Sequence, residues 1–339
     1  MVRMQNKPPA GSSSIPGPSG TARLNAAQTW TAAQLGLDTV ALNPVAQDAS
    51  FRRYFRVQTG TESLILMDAP PQFENSAPFL DIAARLRKAG LHAPAVLHFD
   101  LEQGFGLLED LGDELYRDLI SADTVEGLFP DLFQALARMA QKVNCYGLPN
   151  YDPFRLQTEL DLFTDWYLLR HKGCETAGRQ KYIWQTLCDE LKRSAAEQPY
   201  VFVHRDFHSN NLLYLKNREP GIIDFQDAVR GPVSYDFISL LWDRYISWPR
   251  PQIENWMETY RTLLALDIGP MVWMRYCDLM SLQRNLKIVG IFARLYYRDG
   301  KKGYLQMIPR FYRYVLDVLP LYPEFRDAYE LLEQAECAP

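Results

Sequence analysis

A chain of 339 residues with 47% hydrophobic and 13% aromatic content can bury a sizeable core in one large or two modest domains. Its formal charge of -5 shows no basic excess, which argues against nucleic acid or an anionic membrane as the main partner. Five cysteines, Cys145, Cys174, Cys188, Cys277 and Cys337, are scattered without C-x-x-C spacing, so neither a disulfide framework nor a zinc site is expected. No apolar run approaches the roughly 18 residues of a membrane span, and the N-terminus lacks the apolar core of a signal peptide, so a cytoplasmic protein without an obligate protein partner is expected.

In chain order, residues 1–21 carry Pro8-Pro9, Gly11 to Ser14 and Pro16-Gly17-Pro18 with almost nothing to bury, which predicts a disordered tail. Apolar residues at helical spacing predict a helix from Leu24 to Leu35, and Asn43-Pro44 a turn. Ser50 to Val57 and Ser63 to Met67 are short and rich in aromatic and branched residues, as strands joined by a turn are. A helix over Ala77 to Ala89 ends at Gly90, and strands follow over Ala95 to Phe99 and Phe105 to Glu109. Two strands, a helix and two strands without βαβ alternation predict an α+β N-lobe over 22–110, an antiparallel sheet with one helix packed on it.

Residues 111–339 read as a larger, mainly helical C-lobe. Its predicted helices are Glu114 to Ile120, Thr124 to Val143, Leu156 to Leu169, Lys181 to Ala196, Tyr235 to Ile246, Gln252 to Leu266, Trp273 to Leu295 and Tyr304 to Leu319. A single strand-rich interruption, Val201 to Asp236, carries the chemistry. Apolar Val201-Phe202-Val203 leads to His204, Asp206 and Asn211 in the spacing H-R-D-x-x-x-x-N, and Ile222-Ile223 leads to Asp224-Phe225. The stretch between the two acids suits a β-hairpin that brings Asp224 back beside Asp206.

Phosphoryl transfer asks a protein mainly to position groups and neutralise charge. Asp206 is placed to orient an acceptor hydroxyl and take its proton; Asn211 and Asp224 are hard-oxygen side chains of the kind that hold Mg²⁺. Asp236, at the start of a helix, is expected to cap that helix or bond the catalytic-loop backbone, and His204 to pack beneath the loop. Asp236 follows Asp224 within 12 residues and no A-P-E appears, which leaves no room for a peptide platform and favours a small acceptor.

These motifs resemble the aminoglycoside phosphotransferase family, a small-molecule branch of the protein-kinase-like fold. Further runs, D-A-S-F-R-R-Y-F-R-V (48–57), M-D-A-P-P (67–71), W-D-R-Y-I-S-W-P (242–249) and G-I-F-A-R-L-Y-Y-R-D-G-K (290–301), are similar to its amino-sugar branch. The resemblance implies a bilobal fold, ATP and Mg²⁺ as cofactors, and transfer of the γ-phosphate to the C1 hydroxyl of N-acetylmuramate or N-acetylglucosamine in cell-wall recycling. A kinase of another small hydroxyl compound, such as an aminoglycoside or choline, and a nucleotide-binding pseudokinase stay open. Two departures stand out. No glycine occurs in Asp48 to Tyr54, so Ser50, Phe51 and Arg52 or Arg53 are the expected phosphate cradle; and Met67-Asp68 stand where the family carries a Lys. The backbone of Glu109 and Leu111 is expected to meet the adenine edge. The acceptor pocket is expected to draw on His208, Asp243 and Arg244, with Arg284, Arg294 and Arg298 behind them, and an Arg would suit a lactyl carboxylate. Trp242, Tyr245 and Trp248 could stack on a sugar.

Overall fold

The computed structural model describes residues 20–45, 51–60, 62–216 and 219–337; Ser50 and residues 1–19 of the tail predicted over 1–21 lie outside them, while Gly20 and Thr21 of that tail open the first helix. In chain order the first elements are α1 (Gly20–Leu35), β1 (Asn43–Pro44), β2 (Arg53–Thr59), β3 (Glu62–Asp68), α2 (Ala77–Lys88), β4 (Val96–Asp100) and β5 (Phe105–Glu109). Then come α3 (Tyr116–Leu119), α4 (Val125–Lys142), α5 (Pro153–Leu162), α6 (Gly178–Glu197) and four short strands: β6 (Tyr200–Val203), β7 (Leu212–Leu213), β8 (Gly221–Ile222) and β9 (Val229–Pro232). The last helices are α7 (Tyr235–Leu241), α8 (Arg250–Leu264), α9 (Pro270–Tyr297), α10 (Ile308–Val318) and α11 (Arg326–Cys337). A small antiparallel sheet in a chain that is 57% helix is the α+β arrangement predicted.

The chain divides into two compact units. One takes residues 20–144 and Ser209–Ala228; the other takes Cys145–His208 and the chain from Val229 onward. In the first, five strands lie in the order β1-β2-β3-β5-β4, all antiparallel. Cross-strand partners Phe55↔Leu66 and Val57↔Leu64, with Leu66↔Leu107, put one buried row on one face. Ala27 and Ala32 of α1 close that row into a core, so the helix covering this face precedes the sheet rather than interrupting it. Asn43-Pro44, predicted as a turn, is instead an edge strand beside β2, a position where a missing proline N–H costs little.

Hairpin β7–β8 completes this unit. Ile222 N–H donates to His92 O (2.8 Å), Tyr214 N–H to Glu114 O (2.7 Å), and Phe225 stacks on Phe79 of α2 at 5.0 Å. The sequence suggested one hairpin between Asp206 and Asp224. Two ladders are found: β7 pairs with β8, whereas β6 pairs with β9, whose Val229–Pro232 run was not read as a strand.

In the second unit α9 is the central element, buried along most of its length from Trp273 to Ala293. The predicted helix over Leu156 to Leu169 divides: Asp152 caps α5 by accepting from Arg155 N–H at 2.9 Å, and beyond Leu162 the chain widens into a π-helix over Phe163–His171. Gly290 of α9 lies so close to this junction that a Cβ there would meet Leu162 C at 2.4 Å and Phe163 N at 2.5 Å. Helix α7 stops at Leu241, short of the predicted Ile246, so Asp243 and Arg244 stand on irregular chain. No helix among the described residues is long and apolar enough to cross a membrane.

Candidate active site

Strand β6 ends at Val203 and delivers His204, Arg205 and Asp206 on a turn in which Arg205 is left-handed, φ 77°. For a residue with a Cβ that conformation costs roughly 1–2 kcal/mol, and two contacts hold it. Asp236, in the first turn of α7, accepts from His204 N–H (2.6 Å, Oδ2) and Arg205 N–H (2.9 Å, Oδ1). The guanidinium of Arg205 donates to Glu159 Oε1 on α5 at 2.9 Å. Burial pushes the Asp236 carboxyl up to about 7, against the pull of those two amides. His204 is buried, and its Nδ1 accepts the Asp206 N–H at 3.3 Å, so it braces the turn from beneath.

Glu159 collects more than Arg205. Its carboxylate also accepts from Lys287 Nζ (3.1 Å), Gln283 Nε2 (3.2 Å) and the Tyr151 hydroxyl, and Lys287 in turn donates to the Tyr235 hydroxyl at 3.0 Å. The cluster joins α5, α7, α9 and the turn that carries Asp206. Burial alone would raise the Glu159 carboxyl, but Lys287 and Arg205 outweigh it and hold the group below the ordinary range.

Beside this cluster lies a cavity of about 210 Å³. Its polar wall is Arg205, Asp206, His208, Asp243, Arg244, Arg284 and Lys287; Ile288, Ile291 and Phe292 supply an apolar wall from α9, and Trp242 contributes an aromatic one. Burial pushes the Asp206 carboxyl up; Lys287, then His208 and Arg205, pull it down further, and it stays below the usual carboxylate range. Burial shifts His208 down, although Asp206 and Asp243 oppose this. Its Nδ1 is a buried polar atom with no partner among the described residues, available to a bound molecule. Arg284 is 5% exposed and donates to Trp242 O at 3.4 Å.

The structure thus gathers Asp206, His208, Asp243, Arg244 and Arg284 on one cavity. Arg294 and Arg298 do not line it, and Arg298 is paired with Asp299. Of the aromatics considered, Trp242 lines the cavity, Trp248 is buried against Trp256, and Tyr245 lies exposed under the Arg244 guanidinium.

Asn211 and Asp224 meet in the other unit. Ile223 N–H donates to Asn211 O (3.1 Å), which fixes the two chain segments side by side, and Asn211 Nδ2 reaches Asp224 Oδ2 at 3.3 Å. Asp224 is left-handed, φ 64°, and its Oδ1 accepts from Gln226 Nε2 at 2.7 Å. A half-turn of the Asn211 amide sets its carbonyl oxygen beside the carboxylate, two hard oxygens at one point, and that donor set fits Mg²⁺.

The residues expected from the sequence to meet a nucleotide divide in their contacts. Phe51 N–H donates to Glu74 Oε1 (3.2 Å), and its ring stacks on Phe73 at 4.8 Å. Arg52, 7% exposed, pairs with Glu74 Oε2 at 3.4 Å. Arg53 is held by Asp68, which is buried and also takes Arg23 Nε at 2.8 Å; where a Lys was expected there is an acid already shared by two arginines. The Glu109 carboxylate is occupied by His92 Nε2 (3.0 Å) and Ala95 N–H (3.1 Å), and Leu111 is buried. Glu159, Gln283 and Lys287 were not singled out from sequence. The available signal was a lysine inside the apolar run Leu286-Lys287-Ile288-Val289 of a long helix, since a charge so placed needs a buried partner.

A profile of the phosphotransferase enzyme family matches residues 41–270. The chain is similar to the N-acetylmuramate/N-acetylglucosamine kinase of Pseudomonas aeruginosa, 46% identical over 297 residues, covering 86% of this chain and 87% of that protein. It is also similar to the kinases of the same name from Pseudomonas putida (42% identical, 87% and 88% covered) and Neisseria meningitidis (38%, 85% and 88%). Among solved structures, a choline/ethanolamine kinase family protein from Mesorhizobium loti superposes with a TM-score of 0.63 at 17% identity, over 92% of this chain and 99% of that one. An ADP-bound aminoglycoside phosphotransferase superposes with 0.58 at 16%, over 84% and 96%. At such identities what is shared is the fold.

Proposed function

This chain belongs to the phosphotransferase enzyme family and has its bilobal protein-kinase-like fold, and from that premise we propose that it moves the γ-phosphate of ATP to the anomeric C1 hydroxyl of N-acetylmuramate or N-acetylglucosamine. The product is the sugar 1-phosphate, made in the cytoplasm during peptidoglycan recycling. The observation carrying this reading is the cavity around Asp206, roomy enough for a sugar ring, apolar on one wall and lined by paired acids and arginines on the other.

In this mechanism Asp206 accepts a hydrogen bond from the C1 hydroxyl and aligns its oxygen. As that oxygen bonds to the γ-phosphorus, the bond to the β–γ bridging oxygen breaks, ADP departs and the hydroxyl proton passes to Asp206. A carboxylate held ionised by its surroundings suits that duty. Asn211 and Asp224 would hold Mg²⁺, which would neutralise phosphate charge. His208, Asp243 and Arg244 bond the sugar hydroxyls and N-acetyl group, and Arg284 receives the lactyl carboxylate, a planar anion that a guanidinium grips with two bonds. Residues 22–110 act as the nucleotide lobe and 111–339 as the catalytic lobe. There the Ser50 and Phe51 amides and the Arg52 side chain cradle phosphate, while the backbone of Glu109 and Leu111 meets adenine. Arg53 is paired with Asp68 and Arg52 with Glu74, so an arginine that stands in for the missing Lys exchanges its carboxylate partner for phosphate.

The test is to incubate the enzyme with Mg-ATP and, separately, N-acetylmuramate, N-acetylglucosamine, choline and kanamycin, following ADP release and identifying products by phosphorus and proton NMR. A 1-phosphate of one of the sugars is expected, abolished in Asp206→Asn with ATP affinity nearly intact. Phosphorylation elsewhere on the ring, or turnover only with choline or kanamycin, overturns the acceptor assignment; nucleotide binding without any turnover overturns catalysis itself.

A further inference from the structure

The buried ion cluster behind the cavity does more than hold helices together. Lys287 lies on α9, 9% exposed, with its ammonium bonded to Glu159 Oε1 and the Tyr235 hydroxyl. It lines the same cavity as Asp206. Glu159 Oε1 bonds both Lys287 and Arg205, the residue immediately before Asp206 and the one whose backbone is left-handed. One carboxylate oxygen therefore fixes the cation on the cavity wall and the turn that presents the acceptor base.

We propose that Glu159 and Lys287 are a positioning pair for the acceptor base: Glu159 locks Arg205, which sets the turn carrying Asp206, to Lys287, which sets a positive charge on the cavity wall it shares with Asp206. This rests on the reading of Asp206 as the base. A fully paired buried charge is costly to assemble, and apolar side chains of similar volume would hold α5 to α9 at least as well. What they would not supply is a fixed positive charge beside a carboxylate that must stay ionised. Lys287 is the strongest of the groups favouring that state. Among the described residues, the other charged or titratable groups near Asp206 or on its cavity include His204, Arg205 and His208 on its own loop, Tyr235 and Asp236 on α7, Arg284 on α9, Asp243 and Arg244 on the chain after α7, and Tyr304.

The experiment compares Lys287→Met, Lys287→Arg and Glu159→Gln with the wild type, using whichever acceptor the wild type turns over, across pH 5 to 9. For Lys287→Met, kcat is expected to fall about tenfold or more while the KM for ATP changes less than about threefold. Without Lys287 the Asp206 pKa rises, so the acidic limb of the pH profile moves to higher pH; Lys287→Arg, which restores a cation, returns the limb toward its wild-type position. Glu159→Gln, which frees both cations but removes neither, lowers kcat without moving the limb as far. An unmoved acidic limb in a folded Lys287→Met protein overturns the proposal, as does wild-type kcat in either Met or Gln variant. A limb that moves in Lys287→Met and is not returned by Arg also overturns it. Turnover of choline instead of a sugar defeats the acceptor assignment and leaves this pair testable on choline; a wild type that turns over no acceptor overturns both.

Discussion

Asp236 places an acid in a setting that argues with itself: both carboxylate oxygens accept backbone N–H groups, which favours charge, yet it is buried, and burial dominates with a pKa of about 7. A carboxyl whose folded pKa lies above its unfolded one binds its proton more tightly when folded. Its stabilising contribution is therefore full below pH ~4 and is lost as pH rises through about 7. The stability of the wild type relative to Asp236→Asn is expected to decline between pH 5 and pH 8, read from urea midpoints at each pH; a difference that stays flat or grows means the amides win. At this scale the sequence was legible where the candidate site is written in a short string. His204, Asp206, Asn211, Asp224 and Asp236 could all be singled out because strand ends and loop spacing are local. Glu159 and Lys287 could not, since their meaning is their contact with each other and with Arg205, which arises only on packing α5 against α9.

Among the elements, α9 does the most positioning, since Arg284 and Lys287 lie on it, as does the apolar wall of Ile288, Ile291 and Phe292. Its approach to α5 depends on Gly290, where an added methyl would strike the backbone of Leu162 and Phe163 rather than a movable side chain. Alanine there gains about 1 kcal/mol of helix propensity, but the clash should cost roughly 1–3 kcal/mol beyond it. Gly290→Ala is expected to lower the urea midpoint and, because Lys287 lies one turn away on the same helix, to reduce kcat as well. An unchanged midpoint would show that the helices can separate without penalty. Helix periodicity made most of the helices readable from the sequence, α9 among them. It missed α11, carried α7 too far past Leu241, and gave no hint of the π-helix over Phe163–His171, because widened turns follow from tertiary packing rather than from residue preference. Strands β2, β3, β4 and β5 were readable from aromatic and branched runs. By contrast β1 and β9 carry Pro and Gly, and only pairing makes strands of them.

For the molecule as a whole, the α+β class could be read from the change in composition after Asp110, whereas the path of the chain through its compact units could not. The chain leaves one unit after His208 and returns at Val229, and the β6–β9 ladder pairs Val203 with Val229 at the two ends of that excursion. A single cut after residue 110, as expected from the sequence, crosses contacts within the first unit. Residues 209–228 supply the partner strand for His92 and Leu115 and the ring that stacks on Phe79. A fragment ending at residue 144 is therefore expected to show weak protection in amide hydrogen exchange across α2 and the 90–115 region, and addition of a peptide spanning 209–228 should restore part of it. Full protection in the fragment alone would show those contacts to be dispensable.

The left-handed Arg205 also bears on how this site could change over evolutionary time. Glycine would relieve the backbone there, and a protein needing only an unstrained turn could adopt it at once. Doing so would strip Glu159 of one cation and leave Lys287 as its only charged partner among the described residues. Strain at Arg205 and burial of Glu159 thus protect one another from drift: neither residue can be replaced alone without loss, and the two should be exchanged only together.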